Sequence, residues 1–284
     1  MQFRTFRRIR KIFLIGLIIA FLFTLLLFLN EQRAVDPIKR EPADLGFVLR
    51  KETLSGADYD MLFSETGLSQ SCVDALWHRA DKNELILSEQ KRFYDTPDFD
   101  CYILTLLTKS EKIIDKQNAA VFYDLRPGDV LLTKSTHTLF YRHGHSALVL
   151  DEDTLLEAAA IGEPIQKTKA DNWGMYPTYI QLRIKEDVAQ NINMSTDELG
   201  KAVADYAEST YGNASYSLFT GAFGHGAESG EAQCAHLIAD PYAHFGITAS
   251  SRKFPATPYS LIKSGAFEII QYRGFDLSKI PGND

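Results

Sequence analysis

The hydrophobic and polar positions of this chain form three successive patterns. Residues 12–29 are one uncharged apolar run, IFLIGLIIAFLFTLLLFL, directly after five basic residues. Residues 58–114 carry apolar positions at helical spacing. From Arg126 onward the apolar runs are short, rich in β-forming residues and separated by turn residues. The patterns predict an apolar helix, a small helical region and then a domain that contains a sheet.

The apolar run 12–29 predicts a transmembrane anchor. Eighteen uncharged residues are about the minimum for a helix that crosses a hydrocarbon layer roughly 30 Å thick. The residues that follow, NEQRAVDP, contain no A-x-A-like cleavage site, which favours an uncleaved anchor over a secretory signal. Because the basic residues precede the span, we expect a single-pass membrane protein with a cytoplasmic N-terminus and an extracytoplasmic C-terminal domain.

Four segments follow from these patterns. The polar run RAVDPIKREPADLG has two prolines and no hydrophobic period, which indicates a stalk. In the next segment Gly67 predicts the end of one helix and Ser69 the start of a second, and we expect a further helix over residues 102–107. The predicted division is a basic N-terminus and anchor (1–30), a stalk or linker (31–57), a helical subdomain (58–120) and a C-terminal domain (121–284).

The C-terminal part predicts an antiparallel sheet and two helices. The runs RPGDVLL, GHSALVLD, TLLEAA, EPIQKT and YIQLRI predict consecutive strands, and FEIIQYR predicts a last one. Ser195 and Glu198 have the spacing of a capping box, and Gly212 has the position of a helix C-terminal glycine. A long glycine-rich loop then leads to a second helix that begins at Cys234. The predicted fold class is therefore α+β.

Composition and charge narrow the possible functions. The 284 residues are 45% hydrophobic, which suits one or two globular domains, and the formal charge of -7 argues against nucleic acid as a partner. The chain has three cysteines. Outside the cytoplasm Cys72 and Cys101 could form a disulfide and leave Cys234 unpaired. Three buried thiols are the alternative, since free cysteine is among the most buried residue types.

Cys234 is a candidate nucleophile. It follows a polar, loop-like stretch, GEAQ, and precedes an apolar helical segment that Pro241 limits. The N-terminus of a helix lowers the pKa of a thiol through its unpaired N–H groups and its dipole. The same N–H groups can bind the oxyanion that forms when a thiolate attacks a carbonyl.

A nucleophilic cysteine needs a base, and His145 is the best candidate among seven histidines. It opens the strand HSALVLD directly after a glycine, which leaves room beside the ring. His143 belongs to the connecting loop, and His236 would point about 200° away from Cys234 on a helix. We interpret four others as ordinary loop or surface residues: His78, His137, His225 and His244.

Glu157 is the candidate for the group that orients the imidazole. It is a charged residue within the apolar strand TLLEAA, where a carboxylate needs a partner. A hairpin between HSALVL and TLLEA would bring it to His145, although it could also be an ordinary carboxylate at a strand edge. The spacings of structural zinc sites, such as C-x2-C with H-x3-H, are absent, so we expect no metal and no cofactor.

The motifs RPGDVLLTKS, GHSALVL, LLEA and QCAHLI, in this order, resemble the circularly permuted, YiiX/YaeF-like branch of the NlpC-type papain-like cysteine hydrolases. The resemblance covers residues 124–272 and implies a permuted papain-like antiparallel sheet packed against helices. It implies Cys234 as nucleophile, His145 as base and Glu157 as the residue that orients it, and it makes Gly128 and Asp129 a structural turn. The chain departs in its Cys-Ala-His, which is closer to the Cys-Glu-His of lecithin:retinol acyltransferase-like members.

The leading hypothesis is a membrane-anchored, extracytoplasmic cysteine hydrolase that cleaves amide bonds through a thioester on Cys234. By analogy, the substrate class is bacterial cell-wall peptides. One alternative keeps the fold and acts on a lipid ester or acyl chain, which the apolar loop residues Leu218, Phe219 and Phe223 would meet. Another is a non-catalytic module that binds the cell wall or acts as a scaffold, with an unreactive or disulfide-bonded Cys234.

Overall fold

The computed structural model describes residues 2–29, 34–106, 108–138, 141–160, 162–217, 231–252 and 256–279. Side chains of the first helix are described over residues 10–25. Most of the predicted glycine-rich loop, with His225 and the apolar Leu218, Phe219 and Phe223, lies outside these residues, and so does Leu107.

The helices are bounded as follows: α1 Gln2–Leu29, α2 Gly46–Leu49, α3 Gly56–Thr66, α4 Gln70–Trp77, α5 Lys82–Tyr94, α6 Ala170–Gly174, α7 Glu186–Gln190, α8 Thr196–Tyr211, α9 His236–His244 and α10 Pro258–Ile262. The strands are β1 Phe99–Ile103, β2 Thr108–Ile113, β3 Val130–Thr133, β4 Thr136–Thr138, β5 His145–Val149, β6 Thr154–Glu157, β7 Gln166–Lys169, β8 Tyr179–Ile184, β9 Ser215–Tyr216, β10 Glu231–Ala232 and β11 Phe267–Arg273. The structure is α+β.

The predicted transmembrane helix requires correction. Among the described residues, no helix is long and apolar enough to cross a membrane.

The helical region begins earlier and ends earlier than predicted. A capping box of Ser55 and Asp58 starts α3, and Gly67 ends it in the left-handed conformation, with φ 72°. Helices α3, α4 and α5 bury one apolar cluster that also includes Ile270 of β11. The helix predicted over residues 102–107 is wrong, because β1 and β2 form an antiparallel hairpin whose backbone bonds cross between strands.

The C-terminal part contains a six-stranded antiparallel sheet in the order β11-β8-β3-β5-β6-β7. The predicted strand runs each contribute a strand to it. One face packs against α8 and α9 through a large apolar cluster. The opposite face packs against α6 through Leu131, Ala147, Leu155 and Trp173. A second sheet, β1-β2-β4, contains three strands, and β9 pairs with β10 in parallel.

A capping box and a glycine turn, both predicted from the sequence, position these layers. The capping box of Ser195 and Glu198 opens α8, as the spacing predicts. Gly128, with φ 85°, begins the turn into β3 and touches Gly200 of α8, where a Cβ on Gly128 would lie 2.4 Å from the Gly200 Cα. Only glycine at both positions, 128 and 200, allows this approach. Gly212 ends α8 in an ordinary right-handed conformation, so the left-handed cap expected from a glycine there does not form.

Candidate active site

Three elements bring the sequence-predicted residues to one end of the six-stranded sheet. His145 is the first residue of β5, Glu157 is the last residue of β6, and Cys234 lies in the turn that leads into α9. In the β5–β6 pairing Ala147 is opposite Glu157. His145 is two residues before Ala147, so it projects from the same face as Glu157. The hairpin thus brings the imidazole and the carboxylate together.

The imidazole of His145 is held by Glu157 and Trp173. His145 Nε2 lies 2.8 Å from Glu157 Oε2. The same carboxylate oxygen accepts a hydrogen bond of 3.1 Å from Trp173 Nε1. The indole also stacks on the imidazole, with 5.3 Å between ring centroids and 28° between planes. Because Nε2 donates to the carboxylate, Nδ1 is the ring nitrogen that remains for proton exchange with Cys234.

The Cys234 thiol is buried, with 6% of the residue exposed. Burial by itself raises the pKa of the thiol, but the hydrogen bonding and charge of His145 outweigh it, and the backbone of Ser146 adds to their effect. The pKa of Cys234 is therefore lowered. A nearby cation and hydrogen-bond donors both favour the thiolate.

The pKa values of His145 and Glu157 also shift in the directions that favour the charged forms. Burial lowers the pKa of His145, but hydrogen bonds to Cys234 and Glu157 and the charges of both raise it to about 9. Burial raises the pKa of Glu157, but its hydrogen bond to His145, the charge of His145 and the bond from Trp173 lower it below its ordinary value. The three shifts therefore all favour the charged forms: thiolate, imidazolium and carboxylate.

Gln233 fixes the turn that presents the cysteine. Its Nε2 donates to the carbonyl of Ala256 at 2.7 Å, and its Oε1 accepts from the backbone N–H of Ala235 at 3.0 Å. The Cys234 sulfur lies 3.6 Å from the same Oε1, a contact that is favourable only for the protonated thiol. Within the described part of the chain, the backbone N–H of Cys234 donates to no acceptor, so it is available to an oxyanion.

A cavity of about 480 Å³ lies beside these residues. Thr133 and Gly144 line it, and both adjoin His145, one across the sheet and one along the chain. Thr257, which follows the Ala256 that Gln233 binds, also lines it. Neighbours of the site residues therefore line the cavity, although the three candidate residues themselves do not.

His143 and His244 have partners other than the thiol. His143 has one ring nitrogen 2.7 Å from the carbonyl of Gly144 and the other 3.0 Å from Thr138 Oγ1. His244 stacks on Tyr206 with ring centroids 4.0 Å apart. His236, on α9, has its pKa lowered by burial.

Sequence reasoning missed three residues of the site, Trp173, Ser146 and Gln233. Ser146 and Gln233 are direct neighbours of His145 and Cys234 in the chain, so adjacency was a usable signal. Trp173 comes from α6, which the sequence analysis did not predict, and its role depends on the packing of α6 against the sheet. All three cysteines are free thiols, so the Cys72 to Cys101 disulfide, left open above, does not form.

Comparisons of the chain with protein-family models, with curated proteins and with solved structures return no match.

Proposed function

We propose that this protein is a cysteine hydrolase that cleaves an amide bond through a covalent intermediate on Cys234. The observation that carries the proposal is the Cys234/His145 pair, in which a buried thiol has a lowered pKa and a buried imidazole has a pKa raised to about 9. Burial alone would produce the opposite shift in both groups. Strongly perturbed groups of this kind concentrate at functional sites.

The first half of the reaction forms a thioester. The Cys234 thiolate attacks the carbonyl carbon of the substrate, and the C=O electrons move to oxygen. The backbone N–H of Cys234 donates to this oxyanion. The imidazolium of His145 then gives its proton to the leaving nitrogen, the C–N bond breaks, and the amine departs.

The second half regenerates the enzyme. Neutral His145 takes a proton from water, and the hydroxide attacks the thioester carbonyl. The C–S bond breaks and releases a carboxylic acid, while Cys234 returns as a thiolate beside the protonated imidazole. Glu157 and Trp173 hold the ring through both steps, because Glu157 Oε2 accepts hydrogen bonds from both His145 Nε2 and Trp173 Nε1.

A peptide amide is the substrate class that we favour, on the resemblance of the four motifs to papain-like hydrolases. Cell-wall peptides stay a prediction of the sequence alone. A lipid ester or another acyl donor is the second candidate. The observation in its favour is the wall of the neighbouring cavity, which includes Leu132, Ile262 and Phe275. These apolar side chains suit an acyl chain better than a polar peptide.

The test is acylation of the full chain by p-nitrophenyl acetate, a small activated ester. The chain should carry Cys101→Ser, because Cys101 is an exposed free thiol and would react by itself. We expect a burst of one equivalent of nitrophenolate and one acetyl group on the peptide that contains Cys234. Circular dichroism should verify that Cys234→Ala, which should give neither, remains folded. Absence of the burst from the Cys101→Ser chain would contradict the proposal.

Turnover then separates the two substrate classes. Peptide amides and long-chain acyl esters should be offered to the same Cys101→Ser chain, with Cys234→Ala as blank. Cleavage of the amides with slow or no turnover of long-chain esters supports the first candidate. The reverse pattern supports the second and leaves the thioester mechanism unchanged.

A further inference from the structure

A second group of reactive side chains lies on the small sheet, away from Cys234. Cys101 on β1 is directly opposite Glu111 on β2. The backbone N–H of Glu111 bonds Ser135, and His137 is two residues beyond Ser135 on the neighbouring strand. Residues opposite one another, and residues two apart on a strand, share a face of a sheet. Cys101, Glu111 and His137 therefore project from one face.

The potential ligand atoms of these three residues form a compact set. One atom from each, the Cys101 sulfur, a Glu111 oxygen and a His137 nitrogen, lie within 4.8 Å of one another. Ligands around a tetrahedral zinc ion are about 3.4 to 3.6 Å apart, given metal distances of roughly 2.0 to 2.3 Å. A contraction of at most about 1.4 Å would close the set, and Cys101 is exposed on an outer strand, where its side chain can turn.

Arg142 fixes the orientation of the Glu111 carboxylate. It binds Glu111 through two nitrogens, with Nη1 to Oε2 at 2.7 Å and Nη2 to Oε1 at 2.8 Å. Each carboxylate oxygen has a second lone pair, so the guanidinium leaves the carboxylate able to coordinate a metal. An outer partner that fixes the orientation of a ligand is a regular feature of metal sites. Both side chains of this ion pair are buried.

We propose that Cys101, Glu111 and His137 bind a divalent transition metal, with Zn²⁺ as the best fit. Thiolate and imidazole ligands bind zinc in preference to calcium or magnesium, which favour oxygen ligands. Three protein ligands leave the fourth position of a tetrahedron to water. The Cys101 thiol loses its proton to solvent when the metal binds. The ligands come from three strands, so no short spacing in the sequence indicates the site.

The test is equilibrium dialysis of the untagged full chain against Zn²⁺, carried out with Cys234→Ala. That substitution removes the thiol of the candidate active site, so zinc that is bound through a cysteine must lie at another site. We expect one equivalent of bound zinc. Co²⁺ in place of zinc should give the near-ultraviolet charge-transfer absorption of a thiolate-bound cobalt ion.

Ligand variants assign the site in the same Cys234→Ala background. Cys101→Ser should abolish the cobalt absorption, and Cys101→Ser and His137→Gln should each weaken zinc binding at least tenfold. His143→Gln is the matched control: it alters a nearby histidine that is not in the set and should leave binding unchanged. Circular dichroism verifies that the variants fold. No bound zinc, or binding indifferent to Cys101→Ser, would overturn the proposal, and because the test reads no catalysis, its outcome is independent of the proposed hydrolase activity.

Discussion

Two buried cysteines in this chain have opposite acidities. Cys72, on α4, and Cys234, just before α9, are 0% and 6% exposed. Burial and then the charge of Asp124 raise the pKa of Cys72 to about 12, against a small opposing effect of Ser69. Burial acts on Cys234 in the same direction, but His145 reverses it. The difference is the partner: Cys72 faces the carbonyl of Ile270 and the Gln271 amide oxygen, which only accept hydrogen bonds.

The comparison corrects the argument from the helix N-terminus. The sequence analysis attributed the activation of Cys234 to the start of a helix, yet Cys72 also lies in the first turn of a helix and its pKa is raised. The groups that lower the pKa of Cys234 are His145 and Ser146 of β5. The neighbouring imidazolium therefore outweighs burial, whereas the position in a helix does not.

The largest effect is expected from His145→Ala, which should make Cys234 behave like Cys72. Removing the imidazolium leaves burial as the main influence on the thiol. At pH 6 an ordinary thiol with a pKa near 8.5 is only about 0.3% ionised, so we expect alkylation by iodoacetamide at pH 6 to slow by roughly 100-fold or more. The measurement is the rate of modification of the Cys234 peptide by mass spectrometry, in the Cys101→Ser chain.

The control for this experiment is His143→Gln, which alters the histidine two residues away and should leave the rate unchanged. The Cys72 peptide should remain unmodified throughout. Rapid labelling of Cys234 at pH 6 in His145→Ala would mean that the contrast between the two cysteines has another cause.

Glu157→Gln should give the next largest effect. The carboxylate favours the charged form of His145, so an uncharged amide lowers the pKa of His145 from about 9. Hydrolysis needs the imidazolium as proton donor, and activity is therefore lost as pH rises through that pKa. We expect this alkaline limb to move to lower pH and the rate at neutral pH to fall by about 10- to 100-fold. The measurement is the pH profile of kcat/KM on the substrate that the acylation assay identifies.

Glu89→Gln provides the matched comparison in the helical region. Glu89 is a buried carboxylate that binds Arg92 and accepts from Tyr123 at 2.7 Å. Its loss should affect stability and leave the alkaline limb in place. An unshifted limb in Glu157→Gln would show that the carboxylate does not set the pKa of His145.

Trp173→Phe should have a smaller effect, of about tenfold or less. Phenylalanine keeps a ring against His145 and removes the N–H that donates to Glu157 at 3.1 Å. That bond helps to hold the pKa of Glu157 down, so its loss lets the carboxylate bind a proton at higher pH. The acidic limb of the pH profile of kcat/KM should therefore move to higher pH.

The control is Trp77→Phe, which removes the 3.3 Å bond from the Trp77 indole to the carbonyl of Glu52 in the helical region. It should leave the acidic limb where it is. Equal effects of the two tryptophan substitutions would indicate a general loss of stability and argue against a positioning role for Trp173.

The sequence predicted the strands, and the three residues that it singled out lie together in the structure, but it did not predict their surroundings. Short apolar runs rich in β-forming residues and bounded by turn residues define β3, β5, β6 and β8, because such composition is a local property of the sequence. Trp173 and the set of Cys101, Glu111 and His137 depend on which strands and helices become neighbours, which no local pattern encodes. The helix expected over residues 102–107 failed for a related reason, since the described residues 102–106 form the end of β1 and the bends that follow it.

Cys72→Ala should have the smallest effect on the site, and it tests whether the two regions are independent. The lost sulfur leaves a small void in the apolar cluster of α3, α4 and α5, which we expect to cost roughly 1 to 2 kcal/mol in the free energy of unfolding. The labelling rate of Cys234 should stay the same, since its pKa depends on β5. Chemical denaturation measures the first quantity and iodoacetamide the second. Cys72 contacts Ile270 and Gln271 of β11, so a slower Cys234 in this variant would mean that the helical region acts on the site through the sheet.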